Sequence, residues 1–439
     1  EPPMPLCFVT FLGTGNYEKV AYQTLDGSVI TTAYAQTAIV HGFQNEIRQN
    51  GMALVFATSE AKTRHWDAEQ SLQSELIRYF DQPNIKTIEI PTVTTEEEIW
   101  ALFDKIFQNI PEQSELIFDI THAFRSIPFL GIVIINYARL VKNISLRGIF
   151  YGAYDRNLTS PYKIIDLTNI DRLLRWSIGV SQYLNTGNAA EINQLASETV
   201  GKYRKSNKDA DPYLYLERNL ANNLKNVWPV LTTCRTPDII DGTKFISIQE
   251  KIEELKKYNI HYIKPLGALY DKIEDVVYLF KKDCVANILP AVHLCIQYNL
   301  IQQGITILQE GIITILLYLL GVDDYMTREH REAVARYFNF INEPMKYTNP
   351  ATEEPYKEVG QRLEKSQVVN NFKEIYKRLQ DIRNDINHAG FTRQNIRPET
   401  FENSLKEIYK NTIMIFIQNT EIKEEWLLSV AKELSKKGS

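Results

Sequence analysis

The sequence predicts a mostly parallel α/β domain at the N-terminus followed by an all-α domain at the C-terminus. Through the first 165 residues, short apolar runs alternate with amphipathic stretches, a pattern typical of parallel strands covered by helices. After about Asp166 the strand signals fade, and apolar residues recur at three- and four-residue spacing. A chain of 439 residues is also too long for one ordinary hydrophobic core, so we expect at least two domains.

Five short apolar runs predict the strands of the N-terminal sheet, because each is bounded by polar or turn-forming residues. These runs are Leu6–Leu12, Ala53–Thr58, Lys86–Ile90, Leu116–Ile120 and Leu146–Tyr151. Asp26-Gly27 lies between two further β-prone runs and predicts a tight hairpin of Val20–Thr24 and Val29–Ala33.

Helical periodicity fills the spaces between these strands and most of the second half. The predicted helices are Ala68–Phe80, Glu96–Asn109, Ile127–Leu140, Leu173–Tyr183, Ala189–Tyr203, Leu300–Leu320, Arg328–Ile341 and Val368–Asn387. The stretch 236–265 mixes proline, glycine and charge, which favours an insertion or a domain boundary. We therefore divide the chain into an α/β domain at 1–165, a helical linker at 166–290 and a helical domain at 291–439.

Composition limits the possible functions. Apolar residues make up 44% of the chain and charged residues 23%, as in soluble globular proteins. The formal charge of -5 does not indicate nucleic-acid binding by the whole surface, so any RNA contact must come from a local basic site. The four cysteines lie far apart, no leader peptide is evident, and the most apolar stretch, Gly311–Leu320, is about half a bilayer span. We expect a cytoplasmic protein that does not enter membranes.

The first predicted strand ends in a polar, glycine-containing loop. The residues predicted to contact a ligand in this loop are Gly13, Thr14, Gly15, Asn16 and Tyr17. Ligands bind at strand ends in open α/β sheets, and glycines allow the backbone to approach a phosphate or ribose closely. The alternative is that the glycines serve only a tight turn. No GxGxxG sequence follows, which disfavours a dinucleotide-dependent dehydrogenase.

The fourth of the five strands ends in a second polar loop, directly before the buried helix predicted at Ile127–Leu140. The residues predicted to contact an anionic ligand here are Thr121, His122, Ala123, Arg125 and Ser126. Backbone amides and the helix dipole favour anions at a helix N-terminus. The alternative is that Thr121 caps the helix while His122 and Arg125 make surface contacts. Two polar strand-end loops in one sheet favour an anionic ligand.

A third constellation lies near the C-terminus, where Arg383 and His388 flank the end of a predicted helix that Gly390 is placed to stop. Histidine can move protons and arginine can stabilise a phosphorane, which are the requirements of RNA cleavage without a metal. A five-residue separation does not place both side chains on one straight helical face, so they converge only if His388 lies in a frayed last turn or if the site is shared between two subunits. The alternative is that both residues are solvated surface.

Other chemistry-bearing residues give weaker signals. His41, His65, His261, His293 and His330 are scattered without metal-ligand spacing, and HExxH, nucleophile-elbow and P-loop sequences are absent from the chain. The charged stretch 328–336 is expected to be a solvated helix face, with RNA contact as the alternative. Glu310, inside an apolar helix, is expected either to support the helix that carries Arg383 or to be exposed.

Together these motifs resemble the CARF-HEPN ribonucleases of type III CRISPR systems, which include a family named for a DxTHG motif. Leu12-Gly13-Thr14-Gly15-Asn16-Tyr17 resembles that family's first-strand loop. Asp119-Ile120-Thr121-His122-Ala123 matches its DxTHG signature except that Ala123 replaces glycine, and Arg383 to His388 fits the RxxxxH form of the HEPN motif. The resemblance spans most of the chain.

This resemblance implies a Rossmann-like CARF sensor domain and a HEPN nuclease domain. It implies a homodimer that binds one cyclic oligoadenylate ring across its two-fold axis, with the tetra-adenylate favoured over the hexa-adenylate. The catalytic residues it implies are Arg383, Asn384 and His388, shared between two subunits that cut single-stranded RNA without a metal or another cofactor and leave a 2′,3′-cyclic phosphate. A methyl group at Ala123 would narrow the backbone approach to the ring.

Two other functions compete with this one. A non-catalytic, nucleotide-sensing regulator would use the helical domain to bind a partner or nucleic acid, although the sequence has no basic recognition helix that we can identify. A small-molecule α/β enzyme with a helical lid would bind one mononucleotide or dinucleotide in each subunit, so the binding stoichiometry separates it from a ring sensor.

Overall fold

The computed structural model describes residues 4–122, 127–155, 157, 159–205, 212–258, 264–391 and 396–437. The chain divides into two compact units, Glu1–Arg172 and Leu173–Ser439. The first is an α/β unit, and the second has helices but no strand among its described residues, which confirms the predicted fold class.

The α/β unit is built on one eight-stranded sheet. Its strands are β1 Leu6–Leu12, β2 Val20–Gln23, β3 Val29–Thr32, β4 Gly51–Ala57, β5 Ile85–Glu89, β6 Glu115–Asp119, β7 Ser145–Gly152 and β8 Tyr162–Asp166. The spatial order is β3-β2-β8-β7-β6-β1-β4-β5. Strand β1 pairs in parallel with both β4 and β6, whereas β2 with β3 and β7 with β8 are antiparallel.

The strand order reverses beside β1, and this reversal determines where a ligand can bind. After β1 the chain first forms the β2–β3 hairpin at the far edge of the sheet. It then adds β4 and β5 on one side of β1, and β6 and β7 on the other side. The carboxyl ends of β1 and β6 therefore flank a topological switch point, where open α/β sheets form a crevice. Both polar loops singled out from the sequence lie at this point.

Helices cover both faces of the sheet. They are α1 Ala35–His41, α2 Gln44–Asn50, α3 Ser59–His65, α4 Leu72–Leu76, α5 Glu96–Asn109 and α6 Ile127–Lys142. Every residue of β1 is buried, and alternate residues of the strand enter different cores, as the two-residue period of a strand requires. Cys7, Val9 and Phe11 pack with residues of α5 and α6, whereas Leu6, Phe8 and Leu12 pack with residues of α1 to α4.

The second unit is helical. The boundary between the units falls within the first of these helices, α7. The helices are α7 Thr168–Thr186, α8 Ala190–Lys205, α9 Pro212–Thr232, α10 Thr236–Asp241, α11 Thr243–Lys256, α12 Lys264–Val277, α13 Ile288–Gln297, α14 Ile301–Leu319, α15 Arg328–Asn342, α16 Lys357–Lys365, α17 Gln367–Asn371, α18 Lys373–Asn387, α19 Pro398–Gln418 and α20 Glu425–Lys437. One continuous apolar cluster joins them, with α14 buried along most of its length.

Three predictions differ from the structure. Within Ala68–Phe80 only α4 is helical, because the Ser71 hydroxyl caps a new helix by accepting from the Ser74 amide. The helix predicted at Val368–Asn387 is divided at Phe372 into α17 and α18.

The third difference concerns the stretch 236–265, which the sequence suggested as an insertion or boundary. Its residues 236–256 form α10 and α11, and Phe245, Ile248 and Ile252 are fully buried in the helical core. Because these residues are three and four positions apart, they lie on one apolar face of α11. The charged residues and glycine around them made this helical pattern hard to recognise in the sequence. The boundaries of the helical linker at 166–290 and of the helical domain at 291–439 stay predictions.

Candidate functional site

The loop after β1 is closed by one of its own side chains. The Tyr17 hydroxyl lies 2.9 Å from the Gly13 amide nitrogen, from which it accepts, and 3.1 Å from the Gly13 carbonyl oxygen. A Cβ atom at residue 13 would lie 3.3 Å from both the His122 carbonyl oxygen and the Tyr17 hydroxyl, so glycine fits this crowded position. Apart from its chain neighbours, no described residue has an atom within 4 Å of such a Cβ at Gly15, and Thr14, Gly15 and Asn16 are exposed. The tip of the loop is therefore open to a ligand.

Three aromatic rings meet at this loop. The Tyr17 ring contacts the imidazoles of His65 and His122 in tilted arrangements, at centroid distances of 4.1 and 4.2 Å. His65 ends α3, and its Nε2 atom lies 2.8 Å from the Gly15 carbonyl oxygen. The neighbouring Arg64 donates from Nη1 to the Thr14 carbonyl oxygen at 2.7 Å. The loop is thus held in place by α3 as well as by its own tyrosine.

The loop after β6 is anchored by a buried carboxylate. Asp119 is fully buried and accepts hydrogen bonds from the Thr10 hydroxyl at 2.6 Å and from the Thr121 amide at 2.9 Å and hydroxyl at 2.5 Å. Burial raises the pKa of Asp119, and these three hydrogen bonds oppose that rise. The Thr121 hydroxyl also accepts from the Gly152 amide at 2.8 Å, so it links β6 to β7. Within one chain, the Thr121 hydroxyl thus shapes the loop through its hydrogen bonds to Asp119 and Gly152.

The Nε2 atom of His122 is buried and has no hydrogen-bond partner among the described residues. Burial, and then the nearby charge of His65, lower the pKa of His122 to about 4. The imidazole is therefore neutral at pH 7 and retains one unused hydrogen-bonding nitrogen beside the open loop. Unpartnered buried nitrogens are uncommon in folded proteins and call for an explanation such as a missing ligand.

The structure brings together the predicted residues 13–17, Thr121 and His122. Ala123, Arg125 and Ser126, which complete the predicted set, lie outside the described residues. Arg64 and His65 were missed by the sequence analysis. Arg64 and His65 reach the loop after β1 because α3 follows β4, and β4 pairs directly with β1. Spacing along the chain does not show that these two strands are neighbours.

The Arg383/His388 motif lies at the end of α18. The amide of His388 donates to the Asn384 carbonyl oxygen at 3.0 Å, and Ala389 and Gly390 follow with φ values of 51° and 77°. These left-handed residues end the helix at the predicted place. The side chains of Asn384 and His388 are both exposed.

Arg383 has a different environment, although it is only five residues earlier. Its side chain is 33% exposed, and Nη1 lies 3.3 Å from Oε1 of Glu310 and 3.4 Å from Oε1 of Gln309, both on α14. Tyr376, two helical turns earlier on the same face of α18, also bonds to Gln309, and burial raises the pKa of Tyr376. Arg383 and His388 make no hydrogen bond with each other within one chain.

Glu310 in turn binds a second arginine. Nη2 of Arg331, on α15, lies 2.8 Å from Oε2 of Glu310, while Nη1 of Arg331 donates to the Thr314 hydroxyl at 2.9 Å. Glu310 therefore supports Arg383. This was one of the two interpretations of Glu310 in the sequence, the other being an exposed side chain. Arg331 belongs to the stretch 328–336, expected to be a solvated face, but its side chain is instead turned toward α14.

Fold and site together define an α/β unit with a polar crevice at a topological switch point, joined to a helical unit that carries an arginine-histidine pair. No protein-family model matches the chain. Over 145 residues the chain is 32% identical to CRISPR-associated protein MJ1674 of Methanocaldococcus jannaschii. The match covers 31% of this chain and 22% of that relative, so the chain aligns with about a fifth of the relative's length.

Two further features of the described residues concern membranes and metal ions. None of their helices combines the length and the hydrophobicity needed to cross a bilayer. Histidine, cysteine, aspartate and glutamate side chains do not gather in groups of three or more that could bind a metal ion, within the same residues.

Proposed function

We propose that this protein is a sensor-effector of CRISPR antiviral defence, in which a cyclic oligoadenylate binds the α/β unit and activates RNA cleavage by the helical unit. The observation that carries the proposal is the crevice at the switch point, where an exposed glycine loop lies beside His122. The Nε2 atom of His122 is buried and has no partner in the part of the chain that the structure describes. A nucleotide offers phosphate oxygens for the loop amides and a hydrogen-bonding edge for a neutral imidazole. The similarity to a CRISPR-associated protein supports the biological setting.

A symmetric ring requires two copies of the crevice, and helix α6 supports a homodimer. Phe129, Val133, Tyr137 and Leu140 lie on one face of α6, and Phe129 and Leu140 are 77% and 86% exposed. Contiguous exposed apolar side chains indicate an interface. Because α6 follows the loop after β6, a two-fold axis beside this face would bring two crevices together around one ring. The cyclic tetra-adenylate is the favoured ligand and the hexa-adenylate the second choice.

The chemistry of the proposed cleavage uses groups from two chains. The 2′-oxygen of the RNA attacks the adjacent phosphorus while the bond from phosphorus to the 5′-oxygen breaks. One His388 takes the 2′-hydroxyl proton, the second His388 gives a proton to the leaving 5′-oxygen, and Arg383 stabilises the charge of the phosphorane. The products are a 2′,3′-cyclic phosphate and a 5′-hydroxyl. Asn384, exposed next to Arg383, is proposed to orient the RNA.

Site variants test this assignment in the full chain. With synthetic ring present, His388→Ala and Arg383→Ala are expected to reduce cleavage of a fluorescent single-stranded RNA by at least about a hundredfold. His330→Ala and Arg378→Ala are matched controls. His330 is on α15, and Arg378, on α18, pairs with Glu407 of α19. Cleavage at the wild-type rate by either site variant would remove the site assignment.

One observation favours a non-catalytic regulator as the second candidate. Within a chain, Arg383 is paired with Glu310 while His388 is exposed, so the two do not form a site by themselves. A regulator would bind the ring with the same stoichiometry of one per dimer and would leave RNA intact at every ring concentration. Product analysis therefore separates the two functions where binding alone cannot.

A further inference from the structure

One carboxylate lies between two arginines at the proposed nuclease site. Oε1 of Glu310 faces Arg383 at 3.3 Å, and Oε2 faces Arg331 at 2.8 Å. Two guanidinium groups and one carboxylate leave this cluster with a single positive charge. An isolated pair of Arg383 and Glu310 would instead be neutral and would attract an RNA phosphate only weakly.

Arg331 is held much more firmly than Arg383. Both of its terminal nitrogens are used: Nη1 donates to the Thr314 hydroxyl and to the Tyr325 carbonyl oxygen, and Nη2 donates to the carboxylate and carbonyl oxygens of Glu310, all within 3.1 Å. Only 23% of its side chain is exposed. Arg331 is therefore poorly placed to contact RNA itself.

The contacts of Arg383 are fewer and longer. Only Nη1 has partners, at 3.3 Å from Glu310 and 3.4 Å from Gln309, near the outer limit for hydrogen bonds. Its Nε and Nη2 atoms have no hydrogen-bond partner among the described residues. Arg383 is thus oriented by α14, and within the described residues two of its nitrogens are left for phosphate oxygens, which a planar guanidinium binds well.

We propose that Arg331 is a positioning residue for Arg383: it occupies Glu310, so that this carboxylate orients Arg383 without neutralising it. The inference rests on the proposed function, because it assigns Arg383 to an RNA phosphate. If Arg331 is removed, both oxygens of Glu310 become available to Arg383, and a bidentate pair withdraws the guanidinium from the RNA.

Charge rescue tests the inference. In the ring-activated full chain, Arg331→Met is expected to lower kcat/KM for RNA by roughly ten- to a hundredfold. Adding Glu310→Gln to Arg331→Met removes the competing carboxylate charge and is expected to restore at least half of that loss on a logarithmic scale. If Arg331 served only to hold the helices together, the double variant would be no more active than Arg331→Met, and the inference would be overturned.

Two further variants refine the test. Arg331→Lys keeps the charge that occupies Glu310 and is expected to retain more activity than Arg331→Met. Arg328→Met is the matched control, because Arg328 is exposed on the same helix and pairs with Glu332. A loss from Arg328→Met as large as that from Arg331→Met would show a general effect of charge on α15 and would also overturn the inference.

A readout without RNA separates this inference from the proposed function. A double-mutant cycle of Glu310→Gln and Arg383→Met in urea unfolding measures their interaction, once with Arg331 present and once with Arg331→Met. The interaction is expected to grow when Arg331 is absent. A stronger interaction between Glu310 and Arg383, without any RNA cleavage by the wild type, would support the competition of the two arginines for Glu310 and refute the nuclease function. Wild-type cleavage with an unchanged interaction would refute the competition alone.

Discussion

The unpartnered nitrogen of His122 gives the sharpest prediction about the sensor crevice. His122→Phe keeps a ring against Tyr17, where the centroids now lie 4.2 Å apart, and replaces the buried Nε2 with carbon. If Nε2 bonds to the ligand, each subunit loses a hydrogen bond that contributes about 1 kcal/mol. A ring bound by two subunits then loses about 2 kcal/mol, or roughly thirtyfold in affinity.

Calorimetric titration of the full chain with cyclic tetra-adenylate measures this loss directly. His41→Phe is a suitable control, because the imidazole of His41 bonds to Tyr79 at 2.9 Å and lies at the end of α1. His122→Phe should not lower the thermal unfolding temperature at pH 7, because the substitution removes a buried polar atom that has no partner among the described residues. Unchanged affinity for every ring tested would refute the role given to His122.

Three further predictions concern stability and assembly. Because of His122, the free energy of unfolding should fall by up to about 3 kcal/mol as the pH is lowered from 6.5 to 4. In this range the unfolded chain binds a proton at His122 that the folded chain does not bind. His122→Phe should flatten this pH dependence in urea titrations. Ala389→Gly should raise the free energy of unfolding by about 1 kcal/mol, because alanine is strained at a φ of 51°; a lower urea midpoint would contradict this. Leu140→Glu should convert dimers to monomers in sedimentation experiments, and an unchanged mass would exclude the α6 face from the interface.

Much of the α/β unit could be predicted because its strands are short and clearly bounded. Leu6–Leu12 is a strand with the predicted limits, and the hairpin around Asp26-Gly27 forms as expected. Helix α1 was not predicted, because Ala35 to Val40 are all buried and so show no amphipathic period. Strand β8 was missed because all of its residues are partly buried or exposed, which weakens the apolar pattern.

The contacts around the candidate sites were beyond the reach of sequence patterns. Glu310 and Arg383 are 73 residues apart, and only the packing of α14 against α18 brings them together. The sequence marked Glu310 as an acidic residue in an apolar helix, yet that pattern fits an exposed side chain equally well. The placement of His65 against Tyr17 likewise depends on the pairing of β1 with β4.

The central claim is that a ring bound at the crevice activates RNA cleavage, and one rate comparison tests it most directly. The full chain is mixed with fluorescent single-stranded RNA and EDTA, and initial rates are measured with and without cyclic tetra-adenylate and cyclic hexa-adenylate. We predict that one of the rings raises the rate by at least about tenfold and that the products end in 2′,3′-cyclic phosphates. Equal rates with and without both rings would contradict the account.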